Sequence, residues 1–290
     1  MIDTEASRTA VLVCQGRAVA NGRLGVGRFS DPLAVELLTA GERELVDRVR
    51  AGDIPKGVGA RIEYELLSGT AELLAARTAV IDDAVRESAN PQLVILGAGL
   101  DSRAWRMPEL AGVTVYEVDH PASQALKRER LGARTTEADL HFVPVDFGKD
   151  TLGASLTAAG HDATRPTTWI WEGVVTYLTP AEIADTVTEV AKRSAPGSRL
   201  IVTYTTPNLV HRYGRRAMEL LLSVTGRANP MAREPQRSSW TPEGLAALLT
   251  ERGLTPTSDI DMVAAAAAAE VVGKRERFLA AGRIVVADRV

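Results

Sequence analysis

The sequence lacks the features that mark several classes of protein. Its single cysteine, Cys14, excludes an internal disulfide and a zinc site built from thiolates. Positive charge is not in excess, because 34 lysine and arginine residues are set against 37 aspartates and glutamates, for a net charge of −3. Without a long basic run, that balance gives no general attraction to nucleic acid. No apolar run approaches the roughly 20 residues that a membrane-spanning helix needs.

The remaining composition is that of an ordinary globular protein. The chain has 290 residues, of which 45% are hydrophobic and 24% are charged. This length allows one large domain or two modest ones. The first residues, MIDTEASRTAVLV, place acids where a secretory signal carries bases, so we expect a soluble, cytoplasmic protein. We expect neither a nucleic-acid partner nor a membrane partner.

Helical periodicity dominates the first 89 residues, and a different rhythm follows. Asp31 and Pro32 are typical of a helix start, with leucines spaced on one face behind them. From Pro91 onward, five apolar runs alternate with helical segments, which predicts a parallel sheet with helices on both faces. The five runs are QLVIL, VTVYEVDH, HFVPVDF, TTWIWEGVVTYL and SRLIVTYT. The C-terminal run RIVVADRV predicts a further strand at an edge of the sheet.

A glycine turn directly after the first apolar run is typical of a nucleotide site. Gly97 and Gly99 let the backbone turn tightly and leave room for a ligand to approach it. Asp119 lies 20 residues after Gly99, at the end of the second run, where an acid can accept both hydroxyls of a ribose. Enzymes that use NAD and enzymes that use S-adenosylmethionine (SAM) share this arrangement. A glycine turn can also merely connect a strand to a helix.

Three details favour SAM over NAD. Ser102 stands where a third glycine would complete the dinucleotide-binding pattern, and SAM, which has no phosphate, does not need that glycine. The turn also comes late in the chain, behind a helical front. Asp146 and Phe147 end the third run, where an acid can accept from the adenine amino group and an aromatic ring can lie on the base. One adenosine ligand explains the glycines and both acids together.

The ends of the fourth and fifth runs supply candidates for the reaction itself. Glu172 lies between a tryptophan and a glycine, at the edge where open α/β sheets bind ligands. It is either a buried partner of an arginine or a contact for the methionine portion of SAM. Tyr177 follows the fourth run and Tyr204 ends the fifth, so we expect both at the reaction site, with Tyr204 nearest the methyl acceptor.

An acidic acceptor needs cationic or hydroxyl groups around it. Arg103 lies just past the glycine turn and is one candidate. The others lie in the helical segment after the fifth run: His211, Arg212, Tyr213, Arg215 and Arg216.

Taken in order, these motifs resemble those of one family. The chain resembles the leucine carboxyl methyltransferase-like family of class I SAM-dependent methyltransferases, including its bacterial polyketide O-methyltransferase branch. The matching segments are SRTAVLVCQGRA, GRFSDPLAVELL, AARTAVIDDAV, VILGAGLDSRAWRMP, VTVYEVDHP, VPVDF and WIWEGVVTYLTPAEI. They extend over about residues 7–205, and TPEGLAALLTERGL adds a weaker match.

The resemblance implies a fold. It is a Rossmann-like α/β fold with the seven-stranded sheet of class I SAM methyltransferases, an N-terminal helical extension and a helical lid. We assign the extension to residues 1–89 and the methyltransferase domain to residues 90–290, with the lid at about 205–257 and the whole as one structural unit.

The resemblance also implies the residues that bind SAM. Arg77 is expected to hold the carboxylate of SAM, and the glycine turn and Glu172 are expected to lie against its methionine portion. Asp119 is expected to bind the ribose. The complete set of expected cofactor contacts is Arg77, Gly97, Gly99, Asp119, Asp146, Phe147 and Glu172.

The implied activity is transfer of a methyl group from SAM to an oxygen, with S-adenosylhomocysteine (SAH) as product and no metal. None of His120, His141, His161 and His211 shows the pattern of a catalytic base, which favours an acceptor that is already ionised. We therefore expect a carboxylate of a small, polyketide-like natural product. Methylation of a phenol or enol, methylation of a partner protein's C-terminal carboxylate, and a non-methylating cyclisation or pericyclic step stay open, as does a homodimer.

Overall fold

The structure is a computed structural model, and it describes residues 8–146, 149–207, 236–273, 279 and 281–290. The α-helices in these ranges are α1 (Arg8–Ala20), α2 (Ala40–Ala51), α3 (Val58–Ser88), α4 (Arg103–Arg106), α5 (Pro121–Leu131), α6 (Leu152–Ala158), α7 (Pro180–Lys192), α8 (Pro242–Thr250) and α9 (Met262–Ala268). The strands are β1 (Gln92–Leu96), β2 (Thr114–Asp119), β3 (Asp139–Pro144), β4 (Thr167–Trp171), β5 (Arg199–Thr205), β6 (Thr255–Asp261) and β7 (Gly282–Asp288).

The seven strands form one sheet in the order β3-β2-β1-β4-β5-β7-β6. Strands β1 to β5 are parallel, and β7 runs antiparallel between β5 and β6. This arrangement confirms the predicted seven-stranded α/β sheet. The prediction that the C-terminal strand lies at an edge was wrong, because β6 covers it. The sequence of β6, TPTSDID, is mostly polar and its side chains are largely exposed or half-buried, so the strand gave no apolar signal.

Alternating side chains of the central strands divide the core into two layers. Leu93 and Ile95 of β1 pack with α1, α2, α3 and α9 on one face. Val94 and Leu96 pack with α6, α7 and α8 on the other face. Strands β1 and β4 are buried at every position, as expected for the centre of a sheet that helices cover on both sides.

Two local elements differ from the sequence-based expectation. The predicted helix start at Asp31 accepts a hydrogen bond from Ala34 N at 3.1 Å, but residues 32–37 form turns and no regular helix. The predicted fourth strand ends at Trp171 and does not continue through Tyr177. Gly173 adopts a φ of +72°, which turns the backbone out of the sheet, and Val175–Tyr177 form a single 3₁₀ turn.

A buried histidine lies between aromatic rings on the α6–α8 side of the sheet. The imidazole of His161 is 5.5 Å from the ring of Tyr116 and 5.3 Å from that of Trp169, between ring centres. Its Nε2 lies 3.1 Å from Thr167 Oγ1. Burial lowers the pKa of His161 to about 4, and the nearby charge of Arg193 acts in the same direction.

This histidine should make the protein less stable in mild acid. Its pKa is lower in the folded state than the ordinary value of about 6.5, so the unfolded chain takes up the proton first. The free energy of unfolding should therefore fall as the pH drops from about 6.5 to about 4, by about 1–2 kcal/mol between pH 7 and pH 5. His161→Gln should remove this part of the slope in urea titrations. Parallel pH curves for the variant and the wild type would contradict the assignment.

Candidate functional site

The glycine turn begins directly after β1. Gly97 has a φ of +70° and Gly99 a φ of +48°, a region that favours glycine. The amides of Gly97 and Ala98 both donate to Val118 O in β2, at 2.8 and 3.1 Å. A Cβ on Gly97 would lie 2.5 Å from Val174 Cγ2, and one on Gly99 would lie 3.1 Å from the Cβ of Ala10 in α1. The turn is therefore held between the end of β4 and the first helix, and a side chain on either glycine would have to displace Val174 or Ala10.

Asp119 lies at the end of β2, beside that turn. Its Oδ2 accepts a hydrogen bond from Gly99 N at 2.5 Å, and its Oδ1 accepts one from His120 N at 2.6 Å. Burial raises the pKa of Asp119 above its ordinary value, although both amide hydrogen bonds oppose that effect. Each carboxylate oxygen can accept more than one hydrogen bond, so this geometry leaves acceptor capacity for the hydroxyls of a ribose.

Asp146 lies next to Asp119, at the same edge of the sheet. The chain continues past β3, where Val145 N donates to Asp119 O at 2.9 Å. The side chain of Asp146 is 14% exposed, and its Oδ2 accepts from Lys149 Nζ at 2.7 Å. The sequence-based prediction thus placed two acids on neighbouring strand ends, and the structure brings them together. Phe147, the predicted partner of Asp146, lies outside the described residues.

Glu172 follows β4, and two arginines bind its carboxylate. Its Oε1 accepts from Arg77 Nε of α3 at 2.7 Å, and its Oε2 accepts from Arg103 Nη1 at 3.0 Å. Burial alone would raise the pKa of Glu172, but the charges of Arg77 and Arg103 outweigh it and hold the pKa at about 2. The carboxylate is therefore ionised throughout the physiological range. Arg77 and Glu172, both predicted to bind the methionine portion, form a direct ion pair.

These contacts of Glu172 are part of a larger buried network of charges. The Arg103 side chain has no exposed surface, and Asp82 and Asp101 pair with it as well as Glu172. Asp82 also binds Arg106, whose Nη1 donates to Oδ2 at 2.6 Å and whose Nη2 donates to Oδ1 at 2.9 Å. The network contains four cations and four carboxylates: Arg17, Arg77, Arg103 and Arg106 with Asp31, Asp82, Asp101 and Glu172.

Sequence reasoning missed most of this network. The sequence predicts Asp31 as a helix cap, but its second oxygen also binds Ser102 Oγ at 2.7 Å and Arg17 Nε at 3.0 Å. Asp82 lies five residues after Arg77 on α3, and Asp101 follows the glycine turn. Acids within otherwise apolar segments are a signal of buried ion pairs, but the sequence does not identify their partners.

The structure does not support two of the predicted acceptor contacts. All three polar partners of Arg103 are carboxylates of the protein and its side chain is fully buried, so it is a structural cation and not an exposed substrate contact. The hydroxyl of Tyr204 donates to Asp259 Oδ2 at 2.7 Å, on strand β6, and the tyrosine is 2% exposed. Burial and Asp259 raise the pKa of Tyr204 well above its ordinary value.

Of the remaining predicted acceptor residues, the structure describes Tyr177 alone. Tyr177 is half-buried in the 3₁₀ turn that follows Glu172. The candidates of the predicted lid, namely His211, Arg212, Tyr213, Arg215 and Arg216, lie outside the described residues.

Within the described ranges, no group of three or more His, Cys, Asp or Glu side chains is arranged to hold a metal ion. None of the helices in those ranges combines the length and apolar composition that a bilayer span requires.

Solved structures share this fold. A DUF574 family protein from Streptomyces avermitilis superimposes with a TM-score of 0.60 at 18% identity, with all of both chains covered. A provisionally assigned methyltransferase from Thermobifida fusca gives a TM-score of 0.50 at 17% identity, over 88% of this chain and 92% of that one. The strand order and these likenesses define an α/β protein of the class I methyltransferase fold.

Sequence comparison assigns the family. The family model for leucine carboxyl methyltransferase matches residues 10–191, and the chain belongs to that family. A protein of Mycobacterium sp. (strain JLS), provisionally named an S-adenosyl-L-methionine-dependent methyltransferase, is 39% identical over 206 residues, which cover 67% of this chain and 65% of that protein. A Frankia alni protein with the same provisional name is 34% identical over 272 residues, covering 89% and 85% of the two chains. The match thus spans just under two thirds of the mycobacterial relative.

The packing of the glycine turn gives a direct test of its geometry. Gly97→Ala should destabilise the protein for two reasons, a left-handed backbone that costs an alanine about 1–2 kcal/mol and an overlap with Val174 Cγ2. Gly112→Ala is the matched control, because Gly112 has a φ of +72° and open space around it. Gly97→Ala should lower the free energy of unfolding in urea by more than Gly112→Ala does. When each glycine variant is combined with Val174→Ala, this difference should become smaller, because the overlapping methyl group is gone. If Gly97→Ala and Gly112→Ala lower the free energy of unfolding equally, the proposed packing is contradicted.

Proposed function

We propose that this protein is a SAM-dependent methyltransferase that transfers the methyl group to an oxygen, a carboxylate of a small, polyketide-like acceptor. The observation that carries the cofactor assignment is the distribution of charge along one sheet edge. Acids lie at the ends of β2 and β3, and an arginine–glutamate pair lies beside the end of β4. Family membership and the names of the relatives support the same assignment.

The residues present fit SAM. Asp119 offers acceptors to ribose hydroxyls, and Asp146 offers an acceptor to the adenine amino group. Arg77 and Glu172 match the carboxylate and the ammonium of an amino acid. Gly97 and Gly99 supply the left-handed backbone of the turn between β1 and α4, and Val174 and Ala10 pack where their side chains would be. When bound, SAM supplies a methyl group on a positively charged sulfur, activated for displacement by an oxygen nucleophile.

The start of α4 argues against a dinucleotide. In dinucleotide-binding folds the helix after the glycine turn directs its N-terminus at the pyrophosphate. Here the carboxylate of Asp101 occupies that position, since its Oδ1 accepts from Arg103 N at 2.8 Å. Arg103 and other nearby cations outweigh the effect of burial and lower the pKa of Asp101, so the group is ionised. The backbone amide of Arg103 at the start of α4 is therefore already bonded to a carboxylate and is not free to bind a phosphate, and α4 is only four residues long.

The chemistry of the described residues favours an acceptor that arrives ionised. A general base is effective when its pKa is near the working pH, and Glu172, with a pKa of about 2, binds protons poorly. His120 lies at the same edge, but its Nδ1 accepts from Ala122 N at 3.2 Å at the start of α5. That contact leaves the proton on Nε2, so the ring has no free acceptor nitrogen there. A carboxylate needs no base at pH 7, whereas a phenol with a pKa near 10 does.

The role of the chain in catalysis is then to bind, orient and exclude water. The ion pair between Arg77 and Glu172 is formed in advance, so the groups that hold the amino-acid portion need no reordering. Helix α1 packs over the glycine turn through Ala10, which closes the site on that side. Holding two reactants in a productive orientation can supply several kcal/mol of barrier reduction, and a methyl transfer to a carboxylate requires little else.

Cofactor binding tests the first part of the proposal. Calorimetric titration of the wild type should show binding of SAM and SAH and none of NADH. Asp119→Ala should weaken SAH binding by about 10–100-fold, because it removes charged acceptors from the ribose. Asp139→Ala is the matched control, a 62% exposed carboxylate at the opposite end of the sheet, and should leave affinity unchanged. A folded wild type that binds NADH and not SAH would refute the assignment.

The chemistry of the product tests the second part. With SAM labelled in its methyl group, paired aromatic acids and phenols should show transfer to the acids, and the product should release methanol in base as an ester does. With an acid acceptor, the rate at low substrate should be nearly flat between pH 6 and pH 9, since the carboxylate is ionised throughout. A base-stable product whose formation rises about tenfold per pH unit identifies a phenol instead. Conversion of a substrate without label transfer identifies non-methylating chemistry.

A further inference from the structure

We propose that Asp82 and Arg103 are positioning residues for the amino-acid portion of the cofactor, acting through Glu172. The inference rests on the role proposed above for Glu172. Neither residue is expected to touch the cofactor. Asp82 holds Arg103, Arg103 holds one oxygen of Glu172, and Arg77 holds the other. The chain Asp82–Arg103–Glu172 thereby sets the direction in which the glutamate presents its charge.

The contacts of Arg103 show why it can act in this way. Its Nε donates to Asp82 Oδ1 at 2.8 Å, while its Nη1 donates to Glu172 Oε2 at 3.0 Å. A guanidinium is planar, so a fixed Nε fixes the direction of the Nη groups. Arg103 Nη2 is buried and has no hydrogen-bond partner among the described residues. The carboxylates on Nε and Nη1 therefore decide the orientation of the group.

Helix α3 connects the direct contact to its support. Arg77, which binds Glu172 directly, and Asp82, which binds it through Arg103, are five residues apart on this helix. The side chain of Asp82 is 2% exposed and that of Glu172 is 10% exposed. A shift of α3 would move Arg77 and Asp82 together. Loss of Asp82 alone removes the support of Arg103 and leaves the direct contact of Arg77 with Glu172 in place.

Arg106 provides a control that separates positioning from general stability. It binds both oxygens of Asp82, and its further carboxylate partner is Asp31 at 3.9 Å. Removing either Asp82 or Arg106 breaks a buried ion pair, and each change is expected to destabilise the fold. The loss of Asp82 also frees Arg103 from its Nε partner, whereas the loss of Arg106 leaves the Asp82–Arg103–Glu172 chain intact.

The experiment compares two ligands on each variant. SAH carries an amino-acid portion, and 5′-methylthioadenosine carries the same adenosine and sulfur without it. Asp82→Asn should weaken SAH binding about tenfold in calorimetry, equivalent to about 1.4 kcal/mol, and leave 5′-methylthioadenosine binding unchanged. Arg106→Gln should lower the melting temperature and keep the wild-type ratio of the two affinities. Glu172→Gln is the reference variant, and it should change the ratio in the same direction as Asp82→Asn.

The possible outcomes are distinct. A wild type that fails to bind SAH overturns the proposed function and this inference together. If the wild type binds SAH but Asp82→Asn weakens both ligands equally, or if Arg106→Gln shifts the ratio as much, Asp82 has only a structural role. Should Asp82→Asn not fold, Arg103→Lys replaces it, because a lysine keeps the charge but cannot contact three carboxylates in the same geometry. An unchanged ratio in Arg103→Lys then overturns the inference.

Discussion

A guanidinium with no exposed surface determines how this site is built. A buried charge is tolerated only when opposite charges and hydrogen bonds replace the water it has lost. Arg103 meets that condition through three carboxylates, which come from the long helix α3, from the glycine turn and from the end of β4. These three segments are far apart in the chain, so the arginine can be satisfied only if the helical front and the sheet are assembled correctly.

The same network explains how the N-terminal helices take part in the site. Arg17 of α1 donates to Leu100 O at 2.5 Å and pairs with Asp31, which also binds Ser102 Oγ. Helix α3 supplies Arg77 and Asp82 to the end of β4 and the start of α4. Residues from these helices and from β1 also share one hydrophobic layer. The helical front thus lies against the glycine turn and the end of β4, and its charges are paired with those of Arg103, Arg106 and Glu172.

Much of this arrangement could be predicted from the sequence, for physical reasons that differ between its parts. Strands β1 and β4 are buried on both faces, so they appear as continuous apolar runs. The positions of Gly97 in a tight turn and of Asp119 at a strand end follow from the local pattern of apolar, glycine and acidic residues. Strand β6 was missed because an edge strand needs few apolar side chains. The pairing of Arg103 with Glu172 and that of Tyr204 with Asp259 were missed because the partners lie 69 and 55 residues apart, and no local pattern encodes such pairs.

In the binding mode proposed above, an ion pair and not an apolar wall faces the amino-acid portion of the cofactor, and the balance of charges suggests why. A buried ion pair contributes little to stability, because its Coulomb energy is offset by the loss of hydration. Under the proposed function, its value lies in the charges that it offers to a ligand. An amino acid brings one positive and one negative charge. Its carboxylate can lie beside Arg77 and its ammonium beside Glu172, and the net charge of the site stays the same. Because the pair is already dehydrated and held in place through Arg103, most of the cost of ordering the site is met on folding and not on binding.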